Sequence, residues 1–366
     1  MTGTSAAREH AGSAERRVEG RAIAAAWTGF GVGVVAGLVA LAGEPRPIAG
    51  EGSVALPAAG IAAIVTAASF AASWLLHRRD ETAPMPGWQR AVSTASGAAL
   101  TVAFAAVAYL GALAGAEVLA RGLVGLAAPP VLGAALTGVA CAAGAWLAAQ
   151  AGAALRTRDL ATLLFVFLAI GTVLAMLTSD DPRWWQRHFS QLGVGGGPGA
   201  WAFNGTIVVA GLLVAVIGLY LGRDLHRWLG DAALPRIAGV VGGFVLAGAL
   251  LAGVGAFPLP DARLVHNIAA FGSIAAFAAT AALLLAVIPE RPLPLVLTTA
   301  GLGAGVGAAL LLWRPLGLLN VAALEAIAVG LAFVWLTTLV RTIATVAPDA
   351  SRPSGARSPL RPGLGA

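Results

Sequence analysis

Ten apolar runs, each long enough to cross a bilayer, follow one another with only short polar segments between them. They lie at about 22–42, 54–76, 91–114, 129–149, 160–178, 203–222, 236–256, 266–288, 295–313 and 317–340. A hydrocarbon core about 30 Å thick takes roughly 20 residues of helix. Water is absent from that core, so a spanning segment must close its peptide hydrogen bonds within itself. The chain is therefore predicted to be all-α, a polytopic integral membrane helix bundle of about ten transmembrane helices. Composition excludes a soluble domain: 58% of the 366 residues are hydrophobic and 11% charged, with a mean hydropathy of +0.84.

All 23 basic residues are arginine, which with the abundant Ala and Gly points to a GC-rich bacterial genome. The net charge of +6 would suit a nucleic-acid binder, but the arginines sit between apolar runs and form no basic stripe. They act as topology signals, and no nucleic-acid partner is expected. With both termini cytoplasmic, 17 of the 23 lie inside, leaving Arg46, Arg121, Arg183, Arg187, Arg263 and Arg314 outside. The expected location is the inner (cytoplasmic) membrane, crossed many times. Ala40-Leu41-Ala42 has the form of a signal-peptidase site, but the preceding run is longer than a typical signal h-region and is read as a span.

Residues 1–21 are polar and charged, and 347–366 are rich in Pro, Gly, Ser and Arg, so both ends are expected to lack fixed structure. Between them lie a four-helix extension at 22–149 and a six-helix core at 160–340. Glu44-Pro45-Arg46 and Asp181-Pro182-Arg183 occupy matching turns, as do Ala120-Arg121 and Ala262-Arg263. These pairings suggest a four-helix unit repeated in parallel and followed by two further helices, although so biased a composition also produces such matches by chance. Glycines four apart at Gly29, Gly33 and Gly37, Gly218 and Gly222, Gly239 and Gly243, and Gly303 and Gly307 predict close helix crossings within the chain. Cys141 is the sole cysteine and falls in an apolar run, which excludes an internal disulfide and a cysteine zinc site.

Polar groups in or beside the spans are costly and therefore informative. On the outer side these are Asp180, Asp181, His188, Ser190, Asn204, His266, Asn267, Asn320 and Glu325, whereas the inner border offers little beyond His77, Gln150 and Asp159. The loop between spans five and six carries helix grammar: Asp181 as N-cap, Pro182 at the first helical position and Gly193 as the stop. A short interfacial helix over 182–192 is predicted, with Trp185, His188, Phe189 and Leu192 on one face and the tryptophans at headgroup depth. The following Gly193–Gly199 turn would let it hinge as a lid. His266 and Asn267 open span eight near the same plane. Two histidines and an aspartate have zinc-binding chemistry, but no HxxxH or HExxH occurs, so hydrogen bonding between helices is the expected role. No metal and no cofactor is predicted. Glu325, about eight residues into the last apolar run, is the one carboxylate well inside hydrocarbon and must pair, protonate or face water.

The stretch Asp181-Pro182-Arg183-Trp184-Trp185-Gln186, then Ser190-Gln191-Leu192-Gly193 and Ala202-Phe203-Asn204, resembles bacterial membrane proteins grouped as domain of unknown function 998. Phe257-Pro258 followed by His266 resembles the same family. The likeness is strongest over 160–287, and the first four spans resemble an extension found in actinobacterial members. In outline the family is similar to the Frag, DRAM and Sfk membrane proteins, which implies a link to lipid handling by fold-level analogy.

The outward polar groups and the absence of an ATP-binding loop favour a protein that binds, senses or moves a lipid or small amphiphile. Its candidate ligand residues are Asp181, Trp185, His188, Ser190, Asn204, His266, Asn267 and Glu325, and its expected partners are membrane lipids. Two alternatives stand beside it. One is a membrane-embedded hydrolase using His188 or His266 as base or metal ligand, Asp181 as their partner and Ser190 as nucleophile. The other is a non-catalytic assembly subunit, for which the packed glycines suffice.

Overall fold

The structure, a computed structural model, describes residues 3–78, 86–347, 354–356 and 358–360, with side chains from Arg16 onward except that of Arg78. Ten helices dominate it: α1 (Gly3–Ala40), α2 (Ala55–Arg78), α3 (Gly87–Gly122), α4 (Pro130–Ala154), α5 (Thr157–Leu177), α6 (Pro198–Leu229), α7 (Leu234–Ala256), α8 (Arg263–Val287), α9 (Leu293–Trp313) and α10 (Val321–Val346). All ten are long and apolar enough to cross a membrane, so the chain is a multi-pass helical membrane protein. The short strands β1 (Arg46–Pro47) and β2 (Ala127–Ala128) pair antiparallel.

Several ends differ from the apolar runs. The helix α1 starts at Gly3, so the 3–21 stretch, rich in Ala, Glu and Arg, continues the first span instead of lacking structure. The last helix starts at Val321 rather than 317, because a turn around Pro315 and Gly317 follows α9 and the Asn320 side chain caps α10 by accepting from the Ala323 N–H at 2.8 Å. Glu325 is thus the fifth residue of α10, shallower than the apolar run implied. Residues 1, 2 and most of 348–366 lie outside the described residues, as do Arg79 and Asp80 after span two.

The described residues divide into two compact units, one within Met1–Thr82 and Leu100–Leu155, the other within Ala83–Ala99 and Arg156–Ala366. In the first, α4 packs against α1 and α2. Gly33 and Gly37 make that crossing possible: a Cβ at Gly33 would lie 2.8 Å from Cys141 Sγ, and one at Gly37 would lie 2.8 Å from the Ala134 Cα. Ser69 and Ser73 of α2 donate to the Ala145 and Ala149 carbonyls of α4 at 2.8 and 2.6 Å.

In the second unit α6 lies between α5 and α7, α8 packs on α7, and α10 contacts α5, α6 and α9. The backbones of α6 and α7 meet at Gly211 and Gly248, where a Cβ on either glycine would collide with the other's carbonyl oxygen. Gly218 and Gly222 continue the same seam against Phe244 and Val241. Gly243 faces Thr280 of α8, whereas Gly303 and Gly307 of α9 meet no neighbour within 4 Å. The partners of the central helices differ between the two units.

Candidate functional site

The loop from Ser179 to Gly197 lies across one end of the second unit, and we call it the strap. Sequence grammar predicted one helix over 182–192. The strap forms instead two 3-10 turns, Trp184–Gln186 and Phe189–Gly193, separated by Arg187 and an extended His188 (φ −157°, ψ 163°). The cause lies on α10. A continuous helix would bond the Phe189 N–H to the Trp185 carbonyl four residues back. Here the Phe189 N–H donates to Glu325 Oε2 at 2.7 Å, and the Trp185 carbonyl accepts from Asn320 Nδ2 at 2.8 Å. Two side chains of α10 therefore occupy both halves of the missing bond, a recognised way to break a helical ladder.

Other elements fasten the rest of the strap. Asn204 of α6 donates Nδ2 to the Gly193 carbonyl at 2.9 Å. Buried His266 of α8 places Nδ1 3.1 and 3.0 Å from the carbonyl oxygens of Val254 and Phe257, which end α7. Two acceptors there require the proton on Nδ1, so in the neutral ring Nε2 holds the lone pair and accepts from the Ser190 hydroxyl at 3.2 Å. The Trp184 and Phe189 rings pack at 5.1 Å across the break. His188 is held below its ordinary value of 6.5, first by burial and then by the electrostatic influence of nearby His266, Arg187 and Arg263.

Most of the predicted residues converge at this end. Ser190 and His266 touch, and Glu325, Asn204 and the Trp185 carbonyl each take part in fastening the strap. Asp181 does not join them: its carboxylate accepts from the Arg183 N–H at 2.9 Å and serves a local turn. Asn267 is exposed, one position past buried His266 on α8 and so rotated off its face. No group of three or more potential metal ligands occurs among the described residues. Trp185 is 51% exposed. An open groove of about 730 Å³ lies at the α9–α10 turn, lined by Trp313, Arg314, Pro315, Gly317 and Leu319, with the Arg314 guanidinium over the Trp313 ring at 5.3 Å.

A second polar cluster lies at the opposite end of α6, on a border where the sequence suggested little. Apolar counting closed span six at 222, but the helix runs on to Leu229 and carries Asp224 and His226 into buried positions. Asp224 accepts from the Thr157 hydroxyl and pairs with Arg223 and Arg227 at 3.5 and 3.6 Å. His226 Nε2 meets Asp231 Oδ1 at 2.6 Å across the positive-φ Gly230. Asp231 also accepts from the Ser354 hydroxyl at 3.0 Å and the Gly355 N–H at 3.1 Å, while Trp88 Nε1 donates to the Ala356 carbonyl at 3.2 Å. Ser354–Ala356 of the expected loose tail is therefore held in place. The Asp224–Arg227 spacing, i to i+3 on a helix, was the sequence signal for this cluster.

A sequence profile of the family described as "Protein of unknown function (DUF998)" matches residues 160–342, which is 183 of the 366 positions and lies within the second unit. No curated protein and no solved structure matches the chain.

Proposed function

Because the chain belongs to the DUF998 family of proteins of unknown function, its function must be argued from geometry, and we propose that it binds a membrane lipid or small amphiphile at the strap end of the second unit, with the strap as a movable cover. One observation carries this reading. Asn320 and Glu325 hold the strap open at the Trp185–Phe189 bond, and a strap released by them would recover that bond within itself. Both arrangements satisfy the strap's backbone, so the two side chains can pass to a headgroup without stranding a peptide group. Exposed Trp185 and Phe257 beside these polar groups suit the depth where an amphiphile changes from headgroup to chain. The arginine distribution supports an outward orientation for this end.

The test is native mass spectrometry of the full chain released from mild detergent. Retention of an amphiphile of defined mass is expected, with occupancy reduced several-fold in an Asn320→Ala/Glu325→Ala variant. Absence of any retained amphiphile across detergents would remove the reading.

A second reading rests on Ser190 and His266. A serine hydroxyl at 3.2 Å from an imidazole nitrogen whose other nitrogen is pinned by two carbonyls has the arrangement of a nucleophile beside its base. Such a pair would transfer the Ser190 proton to Nε2 as the oxygen attacks an ester carbonyl, return it to the departing alcohol, and let water release the acyl group. Labelling of the wild type by a fluorophosphonate, lost in Ser190→Ala, is the expected mark of this activity. An unlabelled wild type leaves the pair as a strap fastening.

A further inference from the structure

We propose that Arg187, His188 and Arg263 form a receiving site for the phosphate group of an anionic amphiphile, an inference that rests on the amphiphile reading above and specifies its ligand. Arg187 caps the first strap turn, its N–H donating to the Trp184 carbonyl at 3.0 Å, and extended His188 follows it before the second turn. Arg263 opens α8 three residues before His266, so it stands about one turn outward on the same helix face. His266 in turn touches Ser190, two residues after His188. Arginines from two separate elements are thereby gathered near one imidazole, close enough to act on it electrostatically.

The charges in this gathering are all of one sign. Arg187, Arg263 and His266 each oppose protonation of His188. Among the described residues neither Arg187 nor Arg263 has an ion-pair partner within 4.0 Å. The carboxylates at this end are engaged elsewhere or set apart: Asp180 faces Gly197, Asp181 takes the Arg183 N–H, Glu325 takes the Phe189 N–H, and exposed Asp261 makes no ion pair with Arg263. At the other end of the same unit the arginines behave differently, since Arg223 and Arg227 share Asp224. Cations left unneutralised at the end of a membrane bundle call for an anion from outside the chain, and the guanidinium fork matches phosphate oxygens. The surroundings select the source. Trp185, Phe257 and Leu264 expose 51%, 46% and 73% of their surface beside the cations, an apolar border that suits an acyl-bearing phosphate over a free one.

The experiment titrates the full chain in mild detergent with phosphatidylglycerol, with phosphatidylcholine of the same chains, and with inorganic phosphate, read by native mass spectrometry. Phosphatidylglycerol is expected to be retained roughly tenfold better than phosphatidylcholine. The preference should vanish in Arg187→Gln/Arg263→Gln and return in large part in Arg187→Lys/Arg263→Lys, which restores charge without the fork. The His188 imidazole resonances should move toward the protonated form with phosphatidylglycerol and stay put with phosphatidylcholine. Equal retention of the two lipids by the wild type overturns the phosphate site while leaving amphiphile binding intact. Retention of neither overturns both. Displacement of bound phosphatidylglycerol by low millimolar inorganic phosphate overturns the lipid source and assigns the site to a soluble anion.

Discussion

The two ends of the second unit are built from the same kinds of residue and put them to opposite use. At the tail end, cations and anions meet: Asp224 with Arg223 and Arg227, His226 with Asp231, and Asp231 again with Ser354 and Gly355. At the strap end, the acidic and amide side chains bind backbone, and the arginines are left without ion pairs among the described residues. A pair closed within the chain adds to cohesion and offers little to a ligand. A carboxylate on a peptide N–H can exchange that partner for another at small net cost, because the N–H has an alternative acceptor close by. The tail end has the chemistry of a fastening, and the strap end that of the receptacle we propose.

The contrast is broken most severely at Asp224. Its replacement by alanine leaves two guanidinium groups and the Thr157 hydroxyl without their shared acceptor in a mostly buried position, a loss on the order of 3 kcal/mol. Denaturant unfolding in detergent is expected to show it, and a change below about 1 kcal/mol would mean that the tail end is not a fastening. Glu325→Ala should act more locally. A hydrogen bond contributes roughly 1 kcal/mol net, so exchange of the Phe189 amide should accelerate about fivefold while global unfolding shifts much less. Combining it with Asn320→Ala should let the Trp185 carbonyl and Phe189 N–H find each other, lengthening the helix, which spin labels at 183 and 191 would register as a change in spacing.

Acidification tests the strap from another side. His188 is held below its ordinary value of 6.5, so the folded strap binds its proton less readily than the opened one. The resulting stabilisation is fully present above that value and is lost as pH falls from it through the lower value of the folded strap. Strap amides, corrected for intrinsic exchange, should therefore be better protected at pH 7.5 than at pH 5, and a His188→Gln variant should lose the difference. Ser354→Ala has the smallest expected effect, about 1 kcal/mol or less, confined to release of the 354–356 segment and visible as faster proteolysis near it.

Ten helices were legible because apolar length alone dictates them in hydrocarbon. What escaped the sequence did so where distant side chains outvote local grammar. Asp181, Pro182 and Gly193 spell a helix, and nothing near them announces that Asn320 and Glu325, 135 and 136 residues from their partners, will divide it. The convergence of Ser190, Asn204, His266 and Glu325 was readable from sidedness, whereas the exclusion of Asp181 was not, since its competing acceptor role is set by strap geometry. Asp224 and His226 were passed over because hydropathy closes a span at its first arginine, while the backbone has no reason to stop before Gly230 supplies a positive φ.

The helix α6 starts where the strap ends and stops at Leu229, two residues before Asp231, and its 32 residues make a rod of about 48 Å. Its glycines seat it against α7 with no clearance for sliding at Gly211 and Gly248. A tilt of that rod at one membrane face must appear, reversed in sense, at the other. A ligand that tilted α6 at the strap end would thereby pull on the grip that Asp231 keeps on Ser354 and Gly355.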